Sequence, residues 1–223
     1  VWIGPRNCPK EEATFVPPEP LGIKEYLGEL IDFIHQDDHE VLIQTAIFHA
    51  QFEIINPFMD GNGRTGRILI PLFLWYKNRI KSPMFYISEY FDRYRDGYIS
   101  NLLSISRDNN WEDWINFFLD AIKIQAERNA NKAKQVLSLY KEMKERIATI
   151  SNSPYGIKVL DALFCMPIFR ISDYERISGL NRQTVYRIII RLKEEGMLAT
   201  IKKPVGRSPE IFRFEMLYKI LMD

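Results

Sequence analysis

Residues 56–67 read Asn-Pro-Phe-Met-Asp-Gly-Asn-Gly-Arg-Thr-Gly-Arg, and this stretch decides the fold and the chemistry that the chain can support. It lies between an amphipathic segment that ends near Ile55 and an apolar segment from Ile68 to Trp75. Glycines at a helix start let backbone N–H groups approach an anion, and the positive end of the helix dipole lies behind them. The stretch therefore predicts an anion-binding loop that opens a helix.

The side chains within this loop favour a polyphosphate with a divalent cation. Arg64 and Arg67 are three residues apart, so they project from one side of the new helix and can clamp phosphate oxygens with planar guanidinium groups. Asp60 is a hard oxygen ligand suited to Mg²⁺ beside a nucleotide. The plain alternative is a glycine-rich turn before a core helix, which gives no reason for two arginines and an aspartate so placed.

The same stretch closely resembles the signature of the Fic family, His-Pro-Phe-x-Asp-Gly-Asn-Gly-Arg-x-x-Arg. Eleven of the twelve positions agree or are free, and the departure is Asn56, where the family carries histidine. The resemblance implies a protein that transfers AMP from ATP to a Ser, Thr or Tyr hydroxyl of a target protein, with Mg²⁺, although some members of the family transfer other phosphate-containing groups. It covers residues 1 to about 130 and is also carried by Trp2-Ile3-Gly4, Phe15-Val16-Pro17-Pro18, His49-x-x-Phe52-Glu53-x-Ile55, Tyr98-x-x-x-Leu102, Trp111-x-x-Trp114 and Phe117-Phe118-Leu119.

The resemblance also implies roles for individual residues. The backbone of residues 61–66 would cradle the phosphates, and the Asn62 amide would donate to a phosphate oxygen. Tyr98 would lie near the adenine by family position, although a core tyrosine explains that residue equally well. Residues 1–16 resemble the family's flap, a β-hairpin whose exposed edge would dock an extended target segment. The candidate ATP-binding residues are Asp60, Gly61, Asn62, Gly63, Arg64, Thr65, Gly66, Arg67, Tyr98, Thr14 and Phe15, with Asp60 also the metal ligand.

Asn56 predicts impaired transfer. In the family this position supplies a histidine that removes the proton from the target hydroxyl, and an asparagine amide cannot take up a proton at physiological pH. Loss of a positioned base costs about 10²- to 10⁴-fold in rate. His49 lies two helical turns earlier, about 10 Å along the axis, so it is interpreted as a packing or supporting residue. Asn56 is either an engineered inactivating change or the mark of a natural pseudoenzyme.

A regulatory element of the family has no match in this sequence. Many Fic proteins carry an inhibitory helix of the form Ser/Thr-x-x-x-Glu-Gly/Asn. Glu195-Gly196 gives the end of that pattern, but Arg191 stands where Ser or Thr is required. The sequence leaves open whether such a helix lies upstream of Val1.

Hydrophobic spacing predicts a mainly α protein with an N-terminal β-hairpin and a small winged helix-turn-helix domain. The resemblance implies that the helical core is of the Fic type and that the hairpin is its flap. The domain boundaries are predicted at 1–130 for the Fic domain, 131–151 for a connecting helix and 152–223 for the second domain. Asp37 or Asp38 is expected to cap the helix that leads to Ile55, with Glu40 completing a capping box. Pro71 is expected to kink its helix or shift its hydrogen bonds. The helices of the first part are predicted over 21–34, about 37–55, about 62–76, 88–106, 111–129 and 131–151.

The last 72 residues predict a winged helix-turn-helix. Helices over 156–164, 171–178 and 181–195 precede two strands, 197–201 and 211–214, which flank a basic loop. The candidate DNA contacts are Arg182, Gln183, Thr184, Tyr186 and Arg187 early on the recognition helix, with Lys202, Lys203 and Arg207 on the wing. DNA binding and a role in dimerisation or target docking both stay open, because 12 Lys and Arg against 8 Asp and Glu is a modest positive balance.

Composition sets mild limits. The net charge of +1 gives no global signature of polyanion binding, and 223 residues suffice for one or two domains. Two distant cysteines, Cys8 and Cys165, favour the reducing cytoplasm, and no apolar run is long enough for a membrane span. A homodimer remains open as an assembly. The leading prediction is an impaired Fic-type AMP transferase, and the rival is a non-catalytic DNA-binding regulator that uses the Fic fold as a nucleotide sensor.

Overall fold

The computed structural model describes residues 9–36, 40–206 and 208–222. The chain divides into two compact units, one through Asn129 and one from Ala130. The described part is mainly α-helical, as predicted, with one small sheet. Its α-helices are α1 (Ile23–Ile34), α2 (Val41–Ile55), α3 (Asn62–Tyr76), α4 (Ser88–Arg93), α5 (Arg95–Asp108), α6 (Trp111–Ser151), α7 (Gly156–Cys165), α8 (Ile171–Ser178), α9 (Arg182–Glu194) and α10 (Glu215–Met222).

Helix α2 is the central element of the first unit. It is buried on several sides because its sequence is apolar around most of its circumference. One side packs with α1 and α3 through Phe48, Phe52 and Phe73. The opposite side belongs to a larger core with α3, α4, α5 and the start of α6, where the indole of Trp114 donates to the carbonyl of Ala46 at 2.9 Å. Helix α2 is therefore packed against neighbouring helices on two sides.

Two helix predictions need correction. The single helix predicted over 88–106 is interrupted at Tyr94, whose φ of −110° and ψ of 41° are not helical. The two helices predicted over 111–129 and 131–151 are one continuous helix, α6. Asn129, Ala130 and Asn131 include no proline or glycine, and alanine is the best helix former, so nothing at this point stops the helix.

The N-terminal predictions are only partly covered by the described residues. Val1–Ile3, the first arm of the expected flap hairpin, lies outside them, as do Asp37 and Asp38, the expected caps of α2. Of the second arm, Phe15 alone carries a β-bridge, and two short 3-10 helices, Lys10–Glu12 and Pro20–Gly22, flank it. Glu40 occupies the N-cap of α2 without a side-chain hydrogen bond.

The second unit is a set of helices with a three-stranded antiparallel sheet. Strands β1 (Ile168–Phe169), β2 (Leu198–Lys202) and β3 (Ile211–Phe214) lie in the order β1-β3-β2. Phe169 lies opposite Phe212, and Leu198 opposite Phe214. The sequence did not predict β1 or α10: a two-residue strand shows no alternation, and α10 follows β3 directly with no glycine or proline between them.

A helix-turn-helix arrangement precedes β2 and β3. Helix α8 ends at Gly179, which has a φ of +68°, a left-handed conformation that glycine adopts without strain. Helix α9 is capped by Asn181, whose side-chain oxygen accepts from the backbone N–H of Thr184 at 2.9 Å. None of the helices within the described ranges is long and apolar enough to cross a membrane.

Candidate active site

The candidate site is built on the turn that joins α2 to α3. The end of α2 is fixed by Asn56, which has left-handed backbone angles (φ 49°, ψ 57°) and donates its N–H to the carbonyl of Phe52 at 3.0 Å. Asparagine tolerates this conformation better than most residues. Its side chain is buried rather than free in solvent. Gly61, with a φ of 86°, then turns the chain into α3.

The Asn62 side chain stabilises this loop through hydrogen bonds to the loop's own backbone. Its side-chain oxygen accepts from the N–H of Phe58 at 2.8 Å, and its amide nitrogen donates to the carbonyl of Phe58 at 2.6 Å. The predicted phosphate donor thus uses both polar atoms within the loop, which leaves one amide proton for a phosphate oxygen. The Thr65 N–H bonds the carbonyl of Gly61 at 2.9 Å, so the available donors are the N–H groups of the turn before it.

The two arginines of the motif lie in different surroundings. Arg64 forms an exposed ion pair with Asp60 at 3.4 Å, whereas Arg67 is half-buried and lines a cavity. The Asp60 carboxylate also accepts the N–H of Gly61 at 2.7 Å and is otherwise open to solvent. In the part of the chain that the structure describes, no group of three or more His, Cys, Asp or Glu side chains is arranged around a metal position. A single carboxylate is still a usual protein contribution to Mg²⁺ that is bound mainly by phosphates and water.

A cavity of about 230 Å³ lies beside the first turns of α3. Its walls are mainly apolar, and the charged side chains Arg67, Arg95, Glu53 and Asp92 border it. The N-terminal segment forms part of the wall, and the Thr14 carbonyl accepts from the Arg107 guanidinium at 3.4 Å. Five of the residues that the sequence proposed for nucleotide binding meet here: Thr14, Phe15, Gly63, Arg67 and Tyr98.

Tyr98 is a core residue that also borders the cavity, and its role beside a nucleotide stays a prediction. Its side chain is buried and lines the cavity, while its hydroxyl lies 3.0 Å from Nε2 of His49 in the core. His49 is fully buried among Phe91, Trp114 and Phe118. Burial lowers the pKa of His49 to about 3, so the ring stays neutral and supports the aromatic core. The structure confirms the interpretation of His49 as a packing residue.

Glu53 is the site residue to which the sequence assigned no role. It is the one acidic residue of α2 and lines the cavity beside Arg67. Its Oε1 atom is buried and has no hydrogen-bond partner among the described residues. Burial raises the pKa of Glu53 to about 7, although the nearby positive charge of Arg67 opposes the rise. The sequence feature that could have indicated the burial of Glu53 is Gly66, because a small residue on α3 leaves room for the carboxylate.

The candidate DNA contacts belong to the second unit. Arg182, Gln183, Tyr186 and Arg187 are exposed on the first two turns of α9, and Thr184 is half-buried. Lys202 and Lys203 are exposed at the end of β2 and just beyond it, and Arg207 lies outside the described residues. The cationic candidates that the structure describes are thus solvent-accessible.

Comparison with known proteins gives a consistent picture for the first unit. Residues 3–74 match the model of the Fic/DOC family. A probable protein adenylyltransferase of Aquifex aeolicus is 35% identical over 91 residues, which are 40% of this chain and 26% of that protein. Protein adenylyltransferases of Caenorhabditis briggsae and Caenorhabditis elegans are 32% identical over 63 residues, 27% of this chain and 12% of each of theirs.

The fold has a match among solved structures. A Fic family protein from Desulfovibrio desulfuricans G20 superposes with a TM-score of 0.51 and 19% identity, over 89% of this chain and 56% of that chain. The chain spans about a quarter of the Aquifex relative and less of the nematode ones. The family model covers residues 3–74 and the curated relatives match 91 and 63 residues, so the sequence similarity concerns part of this chain and a smaller part of those relatives.

Proposed function

From the Fic-family domain that this chain contains, we infer a protein adenylyltransferase that moves AMP from ATP to a hydroxyl side chain of a target protein. The observation that carries the proposal is the position of the cavity. The first turn of α3, opened by Gly61, supplies backbone donors, and Arg67 on the same helix lines the mainly apolar cavity beside it. An apolar pocket next to anion donors suits a nucleotide, whose base is flat and whose phosphates are charged.

The proposed reaction needs positioning and charge neutralisation more than covalent chemistry. The target oxygen bonds to the α-phosphorus of ATP, the bond from that phosphorus to the bridging oxygen breaks, and pyrophosphate leaves. The N–H groups of the α3 turn and Arg67 would hold the phosphates, and Thr14 and Phe15, which line the cavity, would meet the target segment. Asp60 would hold Mg²⁺, which supplies positive charge to the leaving phosphates.

Asn56 makes this chain a slow enzyme in the proposal. The target hydroxyl has to lose its proton as its oxygen attacks, and a neutral amide is not a base at physiological pH. Binding and orientation of ATP do not depend on that proton transfer. We therefore expect nucleotide binding to persist while transfer is reduced.

Labelled ATP tests the transferred group. The chain and Asn56→His are each incubated with a cell lysate and with ATP labelled at either the α- or the γ-phosphate. AMP transfer requires that protein acquires the α-label and not the γ-label. Incorporation of γ-label alone would show phosphoryl transfer and would contradict the proposal.

A second candidate function is a nucleotide-sensing DNA-binding regulator. It is favoured by Asn56 and by the second unit, in which α8, α9 and a β2–β3 hairpin follow one another as in a winged helix-turn-helix. Exposed Arg182 and Arg187 lie on the helix that would enter the major groove. A gel-shift assay with genomic fragments distinguishes this function from a purely enzymatic one.

A further inference from the structure

Glu53 is a carboxyl group enclosed in the same cavity as the motif arginine. It lies between α2 and α3, where β-carbons at Gly66 and Gly63 would contact its Oε1 and Oε2 atoms respectively. A β-carbon at Gly63 would also lie 3.2 Å from a terminal nitrogen of Arg67 and 4.0 Å from Oε2 of Glu53. The carboxyl and guanidinium groups thus border the same turn of α3, the turn whose N–H groups would hold the phosphates in the proposed function.

The surroundings give this carboxyl no compensating partner. Oε1 is buried and accepts no hydrogen bond from the described residues, and no ion pair joins Glu53 to Arg67 among them. An ionised carboxylate in this position is poorly solvated and faces the space that a polyphosphate would fill. Two negative charges in a partly desolvated cavity repel each other more strongly than they do in water. A protonated Glu53 carries no charge and therefore does not repel the phosphates.

We propose that Glu53 is a positioning residue that takes up a proton when a nucleoside polyphosphate enters the cavity, so that no like charge opposes the phosphates held by Arg67. The proposal rests on the proposed function, because it needs a polyphosphate at Arg67. The proposal also explains why the Glu53 side chain packs beside Gly63 and Gly66 and forms no ion pair with a basic side chain among the described residues. The protonated carboxyl keeps its shape and can donate a hydrogen bond in the bound state.

The neighbouring groups do not titrate in the same way. His49 has its pKa lowered to about 3 by burial and is neutral at pH 6–9. The pKa of Tyr98 is raised well above its usual value by burial, so the phenol is also neutral. Glu53, with a pKa near 7, changes its charge within this range. The titratable or charged groups around the carboxyl are His49 on α2, Arg67 on α3, Asp92 on α4, and Arg95 and Tyr98 on α5.

The sign of the pH dependence follows from linkage. Polyphosphate raises the pKa of Glu53 above its value in the free protein, since a like charge disfavours ionisation. Affinity is therefore constant below pH 7, where the acid is already protonated. It falls as the pH rises above 7, by up to about tenfold per pH unit for one coupled proton. We expect ATP to bind about tenfold more weakly at pH 8.5 than at pH 6.5.

Calorimetric titration with ATP and Mg²⁺ over pH 6.5–8.5 tests the proposal in the full chain. Glu53→Gln keeps the shape without the charge, so it should bind at the wild-type pH 6.5 affinity across the range and about tenfold more tightly than wild type at pH 8.5. Titrations in buffers of different ionisation enthalpy should show proton uptake by the wild type at pH 7.5 and less by Glu53→Gln. Glu89→Gln removes a carboxylate that pairs with Arg93 outside the cavity, and it should behave as wild type. ATP itself also changes its protonation with pH, but this contribution is the same for every variant and cancels when their affinities are compared at one pH.

Two different results would overturn the inference. Tight ATP binding whose pH dependence is equal in wild type and Glu53→Gln leaves the nucleotide site standing and removes the role of Glu53. Weaker binding by Glu53→Gln at every pH shows that the ionised carboxylate aids binding, which also contradicts it. Failure of ATP, ADP and tripolyphosphate to bind any variant at pH 6.5 would overturn the proposed function together with the inference.

Discussion

The carboxylate of Glu53 occupies the space that a β-carbon at Gly66 would need, so these two residues fit together where α2 packs against α3. The ring carbon Cε1 of His49 lies 3.2 Å from the same position. A β-carbon at position 66 would therefore displace the Glu53 carboxylate and crowd the His49 ring, although this position belongs to a motif whose glycines the sequence assigns to phosphate approach. Packing thus constrains the same short stretch that the proposed function assigns to phosphate binding.

A β-carbon at position 66 tests that packing. Gly66→Ala should lower the free energy of unfolding by about 1–3 kcal/mol relative to a matched glycine-to-alanine change, because Glu53 or the backbone has to move. The match is Gly28→Ala on α1, where a β-carbon meets nothing within 4 Å. Both variants gain helix propensity, so the difference between them isolates the overpacking.

Urea denaturation followed by tryptophan fluorescence measures both variants. Equal midpoints for Gly66→Ala and Gly28→Ala would show that Glu53 moves aside at no cost. That outcome would contradict the close fit described above. A lower midpoint for Gly66→Ala alone supports it.

The sequence predicted the turn between α2 and α3 well because the information is local. The left-handed turn at Gly61 and the start of α3 at Asn62 follow from residue types within the loop itself. The burial of Glu53 could not be predicted, because it depends on how α2 packs against α3 and α5. Nor could the sequence show that Asn62 turns back to Phe58, since an amide can bond a backbone or a phosphate equally well.

The limits of helices and strands were likewise predictable where local residues set them and not where packing partners set them. The sequence predicted two helices where the structure has α6, because the polar residues Asn129 and Asn131 suggested a break. Neither they nor Ala130 prevents a helix from continuing. Strand β1 has two residues and exists only by pairing with β3, so no local pattern reveals it. By contrast, α8, α9 and β3 were predicted closely, because Gly179, Asn181 and alternating apolar residues mark their limits.

Arg67 should distinguish ATP from ADP. If it holds the γ-phosphate, Arg67→Ala should weaken ATP by about tenfold or more, since a hydrogen bond to a charged group contributes about 1.5–3 kcal/mol, and ADP should be affected less. Isothermal calorimetry with each nucleotide measures the two losses. Arg146→Ala, which removes an equal charge from an exposed ion pair with Glu142 on α6, is the control. If Arg67→Ala lowers the affinities for ATP and ADP equally, Arg67 does not contact the γ-phosphate.

The winged-helix proposal predicts salt-dependent DNA binding. Arg182→Ala together with Arg187→Ala should weaken binding to genomic fragments, and affinity of the parent chain should fall as salt rises, because phosphate contacts release counterions. Lys158→Ala with Lys219→Ala removes the same charge from exposed positions on α7 and α10 and should have a smaller effect.

A gel shift at micromolar protein gives the answer. Retarded species that are lost in the arginine pair and kept in the lysine pair support the proposed recognition helix. No retarded species with any fragment would favour a docking or dimerisation role for the second unit. Equal losses in the two pairs would show binding through net charge alone.

Restoring a base at position 56 should restore transfer. Histidine, like asparagine, is enriched in the left-handed backbone conformation found at Asn56, so Asn56→His should fit the existing turn. Its imidazole can take up the target proton near neutral pH, and the expected gain is about 10²- to 10⁴-fold in rate. Mass spectrometry of the chain and of co-incubated proteins should find AMP on Ser, Thr or Tyr side chains.

Asn56→Gln is the matched control, because it changes the side chain without adding a base and should stay as slow as the parent. A gain with His and none with Gln would assign the missing step to proton removal. If the parent with Asn56 already transfers AMP at the rate of Asn56→His, the target hydroxyl loses its proton by another route and the assignment is wrong. If Asn56→His binds ATP yet labels neither itself nor a lysate, the chain acts as a nucleotide sensor, because the loop and cavity then serve binding alone.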